Sequence, residues 1–461
     1  MKVTVEFVIR DDKGNILGQN SPLTLEIGTQ SLHDIEGGVE QMKQKVLPEI
    51  EATLLTQAQN EFTEKVKEER NLWCNGTRKI CIKTLHGQFE FYLQKYQKYQ
   101  KNKKESNYFQ LSEQLQERFV SQRLEELCGY YANRLSYENV AGLVQRVTGE
   151  NLLSDQTIWG IVKGKAETYS QQIRQIVQES LESTTSGQIQ IKQTVEIYNV
   201  EESEILLFDN GIQVKGQKPE RNSRNQSTAH TPSPDTTKDK TPAVLTDVAM
   251  LQTPTGEFEY LVSPLDTDVE EPISLATVVR ARILHLYQKE SKPLNIIAIT
   301  DGAKVIRHRL LAIFGVLPVV ILDWYHLCKK VRNLMSMIAF NKEEKSNHIK
   351  FLLSQLWHGQ TDIALNYLKH QVVARNNKVL LELIGYLEKH HSEIINYEGR
   401  RKVGKSIGSG RMEKGVDLVV GHRQKKKGVS WSINGSKALS LLKIAELNHC
   451  WTSLWFPAQS C

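Results

Sequence analysis

Four acidic residues in the C-terminal half stand where carboxylates can do chemistry: Asp247, Asp301, Asp323 and Glu413. Asp301 ends the short apolar run Ile296 to Ile299, and Asp323 ends a second run, Val319 to Leu322, so both are expected at the carboxyl ends of adjacent strands. In open α/β sheets that edge is where ligands and catalytic groups collect. Asp247 interrupts the apolar stretch Ala243 to Leu251, and a carboxylate inside a buried strand is costly unless it is paired or binds a cation. Glu413 follows the Gly/Ser-rich turn Ser406-Ile-Gly-Ser-Gly-Arg-Met. From Arg401 to Lys427 nine Lys and Arg residues oppose only Glu413 and Asp417. A glutamate isolated in such a field either neutralises it or holds a metal while the field grips phosphates. Each acid also has a plainer use. Aspartate is a good helix N-cap, and a glutamate next to lysine on a helix is an ordinary surface pair.

The elements that would present these groups are readable from periodicity. Leu294 to Val331 reads as a β-α-β unit: a strand, a helix with Val305, Ile306, Leu310, Leu311 and Phe314 at near-helical spacing, Gly315 and Pro318 as stops, then the second strand. The strand holding Asp247 is answered by a returning strand, Gly256 to Val262, and Ile273 to Gln288 is helical. Asp323 and His326 lie about one turn apart at the start of the helix Asp323 to Met337, hence on one face. Asn341 to His391 carries a largely continuous helical pattern.

In the N-terminal half, Met1 to Glu26 alternates like a hairpin around Lys13-Gly14-Asn15. A long helix is expected over Ser31 to Glu69, broken or kinked at Pro48, and a second hairpin over Trp73 to Lys98, turning at His86-Gly87. Lys95 to Lys104 interleaves basic and aromatic residues, which suits either phosphates and bases or a solvated helix end. Leu111 to Val177 is helical. Within it Ser136 to Val147, the turn Thr148 to Leu152, and a short helix from Leu153 to Val162 outline a helix-turn-helix, with a plain helical hairpin as the alternative. In the first reading Ser154, Gln156 and Thr157 meet base edges, Lys163 adds a DNA contact, and Ile158 and Ile161 pack inward. Glu196 to Gly216 reads as two strands around Asn210-Gly211. Gly216 to Pro242, rich in Ser, Thr, Pro, Lys and Asp, cannot bury a core and reads as a flexible linker.

At 461 residues the chain calls for several domains. The expected division is residues 1–110 (hairpins and long helix), 111–185 (helical DNA-binding region), 186–215 (small β element), 216–242 (linker), 243–340 with 395–461 (α/β core) and 341–394 (helical insertion). No apolar run is long enough to span a membrane, and the N-terminus lacks the pattern of a signal peptide. Six cysteines without a C-x-x-C pair argue against a disulfide framework, so a reducing, cytoplasmic setting is expected. The net charge of +6 permits nucleic-acid binding without demanding it, leaving the case to local clusters.

The order Asp247, Asp301, Asp323-x-x-His326 and Gly408-Ser-Gly-x-x-Glu413, followed by a basic Arg and Trp431-Ser432, resembles the DDE transposases of the bacterial ISKra-type insertion-sequence family, related to the Mutator group. Ile299-Thr-Asp-Gly-Ala303, Leu322-Asp-Trp-Tyr-His326 and Gly408-Ser-Gly-Arg-Met-Glu-Lys-Gly415 carry the likeness, which covers about the C-terminal half. The resemblance implies a ribonuclease-H-like α/β core with an all-helical insertion. It implies catalysis and metal binding by Asp247, Asp301 and Glu413, two Mg²⁺ or Mn²⁺ ions, and auxiliary roles for Asp323 and His326. It also implies that the chain binds double-stranded DNA, both transposon inverted repeats and target, as a homodimer or higher oligomer associated with the nucleoid. Arg411, Arg423, Lys425, Lys426 and Lys427 would contact that DNA. Cys74 and Cys81 fall short of a ribbon's ligand set, so zinc is not expected. Two other readings stay open: a catalytically decayed, transposase-derived DNA-binding protein, and a ribonuclease-H-like nuclease without strand transfer.

Overall fold

In the computed structural model, β-branched and aliphatic runs pair into a five-stranded mixed sheet in the order β10-β9-β8-β11-β12. The strands are β8 (Ile205–Lys215), β9 (Ala243–Gln252), β10 (Phe258–Leu261), β11 (Ile296–Thr300) and β12 (Val319–Leu322). The structure describes residues 1–19, 21–70, 72–100, 103–108, 119–182, 189–218, 242–266, 271–287 and 292–457. The chain forms two units, residues 1–162 with 455–461, and residues 163–454.

The sheet belongs to the second unit. β8, β9 and β10 form an antiparallel meander, while β11 and β12 run parallel to β8. β11 is buried at all five positions, as a strand covered on both faces must be. One covering layer packs α5 (Leu275–Tyr287) and α6 (Lys304–Phe314) on the sheet through Val279, Ile283, Leu310 and Ile313. Gly315, in the left-handed region at φ 76°, ends α6 as its sequence position foretells.

Two expectations are corrected here. Glu196 to Gly216 is not a hairpin: β8 runs unbroken through Asn210-Gly211. The Asn-Gly signal is local, whereas β8 is flanked on both sides, by β9 and β11, and ladder bonds to two neighbours outweigh a turn propensity. Residues 186–215 are therefore no separate β element, since β8 is the middle strand of the core sheet. The proposed linker falls mostly on residues 219–241, outside the described residues. The second correction concerns residues 341–391, which form three helices, α8 (Lys342–Trp357), α9 (Thr361–His370) and α10 (Asn377–Lys389). Left-handed Gly359 (φ 73°) separates α8 from α9, and Asn376 caps α10 through its side-chain oxygen, so the pattern does not continue as one rod.

In the first unit, β1 (Lys2–Val5) pairs with β4 (Leu23–Glu26), and β2 (Val8–Arg10) with β3 (Ile16–Gln19) across the Lys13 to Asn15 turn. α1 (Leu32–Arg70) is one helix of 39 residues with Pro48 inside it. It packs Leu55, Ala58 and Phe62 on Ile80, Ile82, Phe91, Leu93 and Tyr96 of the sheet β5 (Leu72–Thr84), β6 (Gly87–Gln100) and β7 (Lys103–Tyr108). Lys95 to Lys104 thus lies on strands instead of a helix end, with residues 101–102 outside the described residues. α2 (Gln122–Ala132) and α3 (Tyr137–Thr148) follow, α3 capped by Ser136 and closed by left-handed Gly149. The next helix, α4 (Asp155–Glu182), starts where the second helix of the motif was expected but runs for 28 residues, well past Val162.

Candidate active site

A carboxylate at a strand end is presented by the backbone it terminates. Asp301 follows β11, is half-buried, and accepts the Ala303 amide at 2.8 Å. The N-cap of α6 is Ala303, so Asp301 is not a helix cap. Asp323 is one: it follows β12, caps α7 (Trp324–Ile338), is almost fully buried, and accepts the His326 amide at 2.7 Å. Its other oxygen accepts the amide of Ser409, while the Trp324 amide donates to Ile407 O at 3.2 Å. The turn that launches Glu413 is thereby pinned to the start of α7. Gly408 permits the approach, because a Cβ there would lie 3.2 Å from Asp323 Oδ2 and from the Tyr325 ring.

Glu413 rides on α12 (Gly410–Val416) and is exposed. His326 Nε2 stands 3.6 Å from its Oε1, and His326 Nδ1 stands 3.3 Å from Asp323 Oδ1, an electrostatic contact in place of an aligned hydrogen bond. The Asp323 carboxylate raises the imidazole's pKa against the opposing effect of burial, and the charges of Asp301 and Glu413 add to it. Asp323 is the reverse case. Burial alone would raise it, but the interactions with His326 and the Ser409 amide prevail and hold it at about 2.

A further aspartate, absent from the sequence-based set, lies at the centre of the sheet. Asp209 on β8 is buried, and the parallel register of Ile299 beside Phe208 brings it alongside Thr300, next to Asp301. Asp247 on β9 is opposite Gly211, where a Cβ would come within 2.7 Å of its Oδ1; glycine makes room for the carboxylate. Arg309 of α6 bridges the two: its Nη1 bonds Asp209 Oδ1, and its Nη2 lies 2.6 Å from Asp247 Oδ2. Burial pushes Asp209 up to about 6. Arg309 opposes the rise, and the negative charges of Asp247 and Asp301 reinforce it. The missed signal was Ile205-Leu-Leu-Phe-Asp209, an apolar run ending on Asp in the same way as those before Asp301 and Asp323.

All the acids are oxygen donors, the chemistry that hard divalent cations prefer, and Asp209 and Asp247 already hold a positive charge. In donor chemistry they fit Mg²⁺ or Mn²⁺. Among the described residues, no three His, Cys, Asp or Glu side chains stand at metal-holding spacing, and Arg309 lies between Asp209 and Asp247.

The basic residues divide. Arg411 is exposed, over the Phe258 ring at 5.2 Å, and Lys425, Lys426 and Lys427 are exposed on the turn after Gln424. Arg423 is buried, its guanidinium 4.8 Å from the centre of the Trp431 ring. Arg423 thus packs inward, unlike the exposed Arg411 and the three lysines with which it was expected to contact DNA. Ser154, just before α4, and Gln156, Thr157 and Lys163 on it are exposed, while Ile158 and Ile161 are buried. Ser154 and Thr157 bond each other at 2.9 Å as part of the helix cap, and Lys163 lies 3.6 Å from Glu167.

No protein-family model matches the chain, and no curated protein matches it. Among solved structures, a strand transfer complex of the Drosophila P element transposase is similar at a TM-score of 0.30 with 10% identity, covering 74% of this chain and 95% of that one. A likeness this slight carries no weight for fold or function.

Proposed function

We propose that the second unit is a ribonuclease-H-like, metal-dependent nucleotidyl transferase core, and that the chain is a DNA transposase cutting and joining phosphodiesters. The observation that carries this reading is the gathering of Asp209, Asp301, His326 and Glu413, from four separate elements, about the carboxyl end of β11. Structural caps do not need such convergence, whereas phosphoryl transfer does.

Asp209, Asp301 and Glu413 are the residues proposed to hold the metal ions. Carboxylate oxygens on one ion lie within about 5 Å of each other, twice the longest metal–oxygen bond. Neighbouring strands are about 4.8 Å apart, so Asp209 on β8 is one strand from Asp301 and Asp247 on β9 is two. The first carboxylate is therefore assigned to Asp209 in place of Asp247. When bound, the cation polarises the phosphodiester and activates water or a DNA 3′-hydroxyl. His326 orients Glu413 and keeps a positive edge near the developing charge, and Asp323 fixes both by holding the Ser409 amide. Arg411 and Lys425 to Lys427 grip the backbone. Inverted repeats bind through α3 and the start of α4, with assembly as a dimer or larger complex on DNA.

One observation favours a second reading, that of a decayed enzyme which still binds DNA: Arg309 lies across two of the acids. Incubating the full chain with supercoiled plasmid and Mg²⁺ or Mn²⁺ separates the two. Nicking that disappears in Asp301→Asn supports the enzyme, and binding with no nicking in either metal supports the decayed form. A linear product joined to target DNA, obtained with the sequence flanking the gene, distinguishes transposition from simple nuclease action.

A further inference from the structure

Arg309 is the unexplained member of the acidic site. Its guanidinium comes from α6, on a face otherwise used for packing by Ile306, Leu310 and Ile313, and its side chain is only 11% exposed. It makes one bond to each of two aspartates on adjacent strands, Asp209 with a side chain 4% exposed and Asp247 with one 32% exposed. Two carboxylates on one sheet face, with Asp301 beside them, repel one another, and a buried carboxylate without a counter-charge is strongly disfavoured. For Asp209 to stay ionised under the sheet, a cation has to stand beside it. In the protein alone that cation is Arg309.

The two ends of the bridge are not equivalent. Asp209 faces the site shared with Asp301, whereas Asp247 lies one strand further out and is partly solvated. Released from Asp209, the guanidinium still has Asp247 as a partner, so it need not lose both ion pairs to give way. A planar fork presents its two bonds from separate nitrogens at fixed spacing, whereas an ammonium directs all its donors from one atom.

Resting on the metal-dependent reading above, we propose that Arg309 is a built-in counter-cation that occupies the metal's side of Asp209 and competes with a divalent ion for it, with Asp247 serving as the arginine's anchor instead of as a metal ligand. Arg309 thus holds the unloaded site folded and sets the metal concentration at which it loads.

The test is Mn²⁺ binding to the full chain, followed by electron paramagnetic resonance of the free ion, together with thermal unfolding in EDTA and in Mn²⁺. For Arg309→Gln the expected result is an Mn²⁺ affinity raised about tenfold or more, as a competing unit charge at contact distance is worth at least one decade. Its melting temperature should fall in EDTA and recover in Mn²⁺. Arg309→Lys, which keeps the charge but not the fork, should fold and show an intermediate affinity. Equal Mn²⁺ affinity in wild type and both variants overturns the proposal and leaves the metal reading intact, as does an EDTA defect that Mn²⁺ does not repair. If neither wild type nor Asp301→Asn differs from buffer in Mn²⁺ binding and Arg309→Gln gains none, both the proposal and the metal-dependent reading fall.

Discussion

At the scale of single residues, cap and site are not exclusive roles. Asp323 caps α7 and, through its second oxygen, fixes the turn that leads to Glu413. Its folded pKa of about 2 lies below the ordinary value of 3.8, so its charge contributes stability that is present above pH about 4 and is lost as pH falls through about 2. Asp323→Asn keeps an acceptor for the cap but not the charge, and should cost about 2 kcal/mol near neutral pH. The gap between variant and wild type should close on acidification, measured as melting temperature against pH; a gap that widens toward low pH contradicts the assignment. Gly408→Ala places a methyl 3.2 Å from the same carboxylate. It should lower DNA cleavage several-fold with little change in melting temperature, since the Asp323 carboxylate and the Tyr325 ring have to give way beside the reacting atoms. Asp301, Asp323 and His326 were legible as site candidates because they end or open elements whose periodicity is plain, and Glu413 because it follows a Gly/Ser-rich turn in a basic stretch. Asp209 was not, since Asn210-Gly211 after it carries a strong local turn signal that only pairing on both edges of β8 overrides.

At the scale of elements, the sheet order explains why residues far apart in sequence share one edge, and a buried ion network explains why that edge keeps its shape. Arg400, wholly buried on α11 (Tyr397–Lys402), pairs with Glu204 just before β8 and donates to Ile197 O and Ser406 O. Lys405 adds a second cation 3.3 Å from Glu204. One cluster therefore ties the start of β8 to the segment that delivers Glu413. Arg400→Met removes the closer of the two cations on Glu204 and leaves Lys405, so it should cost less than the about 3–5 kcal/mol of a fully stranded buried charge, read by denaturant unfolding of the full chain, whereas the double change Arg400→Met with Glu204→Gln should recover much of the loss. No recovery would make the arginine's packing, not its charge, the important part. Nearby, Trp324 packs edge-on against Trp357, ring centres 4.8 Å apart, and tilted against Tyr397 at 4.9 Å, joining α7 to the end of α8. The helical insertion was readable from its apolar period. Its division into three helices depends on left-handed Gly359 and the Asn376 cap, which the period hides.

At the scale of the whole molecule, a modest net charge of +6 conceals a local field around Glu413. Replacing Lys425, Lys426 and Lys427 together by alanine should weaken binding to any DNA sequence alike and reduce the slope of log affinity against log salt by about two to three units. A shift in sequence preference would instead make them base readers. The two-unit division at Val162 was not legible, because α4 runs through it without a break and helical periodicity does not mark where a helix changes neighbours. The central claim is that Asp209, Asp301 and Glu413 carry out the chemistry while Asp247 does not. Its most direct test is metal-dependent nicking of supercoiled plasmid by wild type and by Asp209→Asn, Asp301→Asn, Glu413→Gln and Asp247→Asn, with DNA affinity measured in parallel. The account predicts that the first three variants lose nicking while binding DNA within a few-fold of wild type, and that Asp247→Asn still nicks; nicking retained by Asp209→Asn and lost by Asp247→Asn would contradict it.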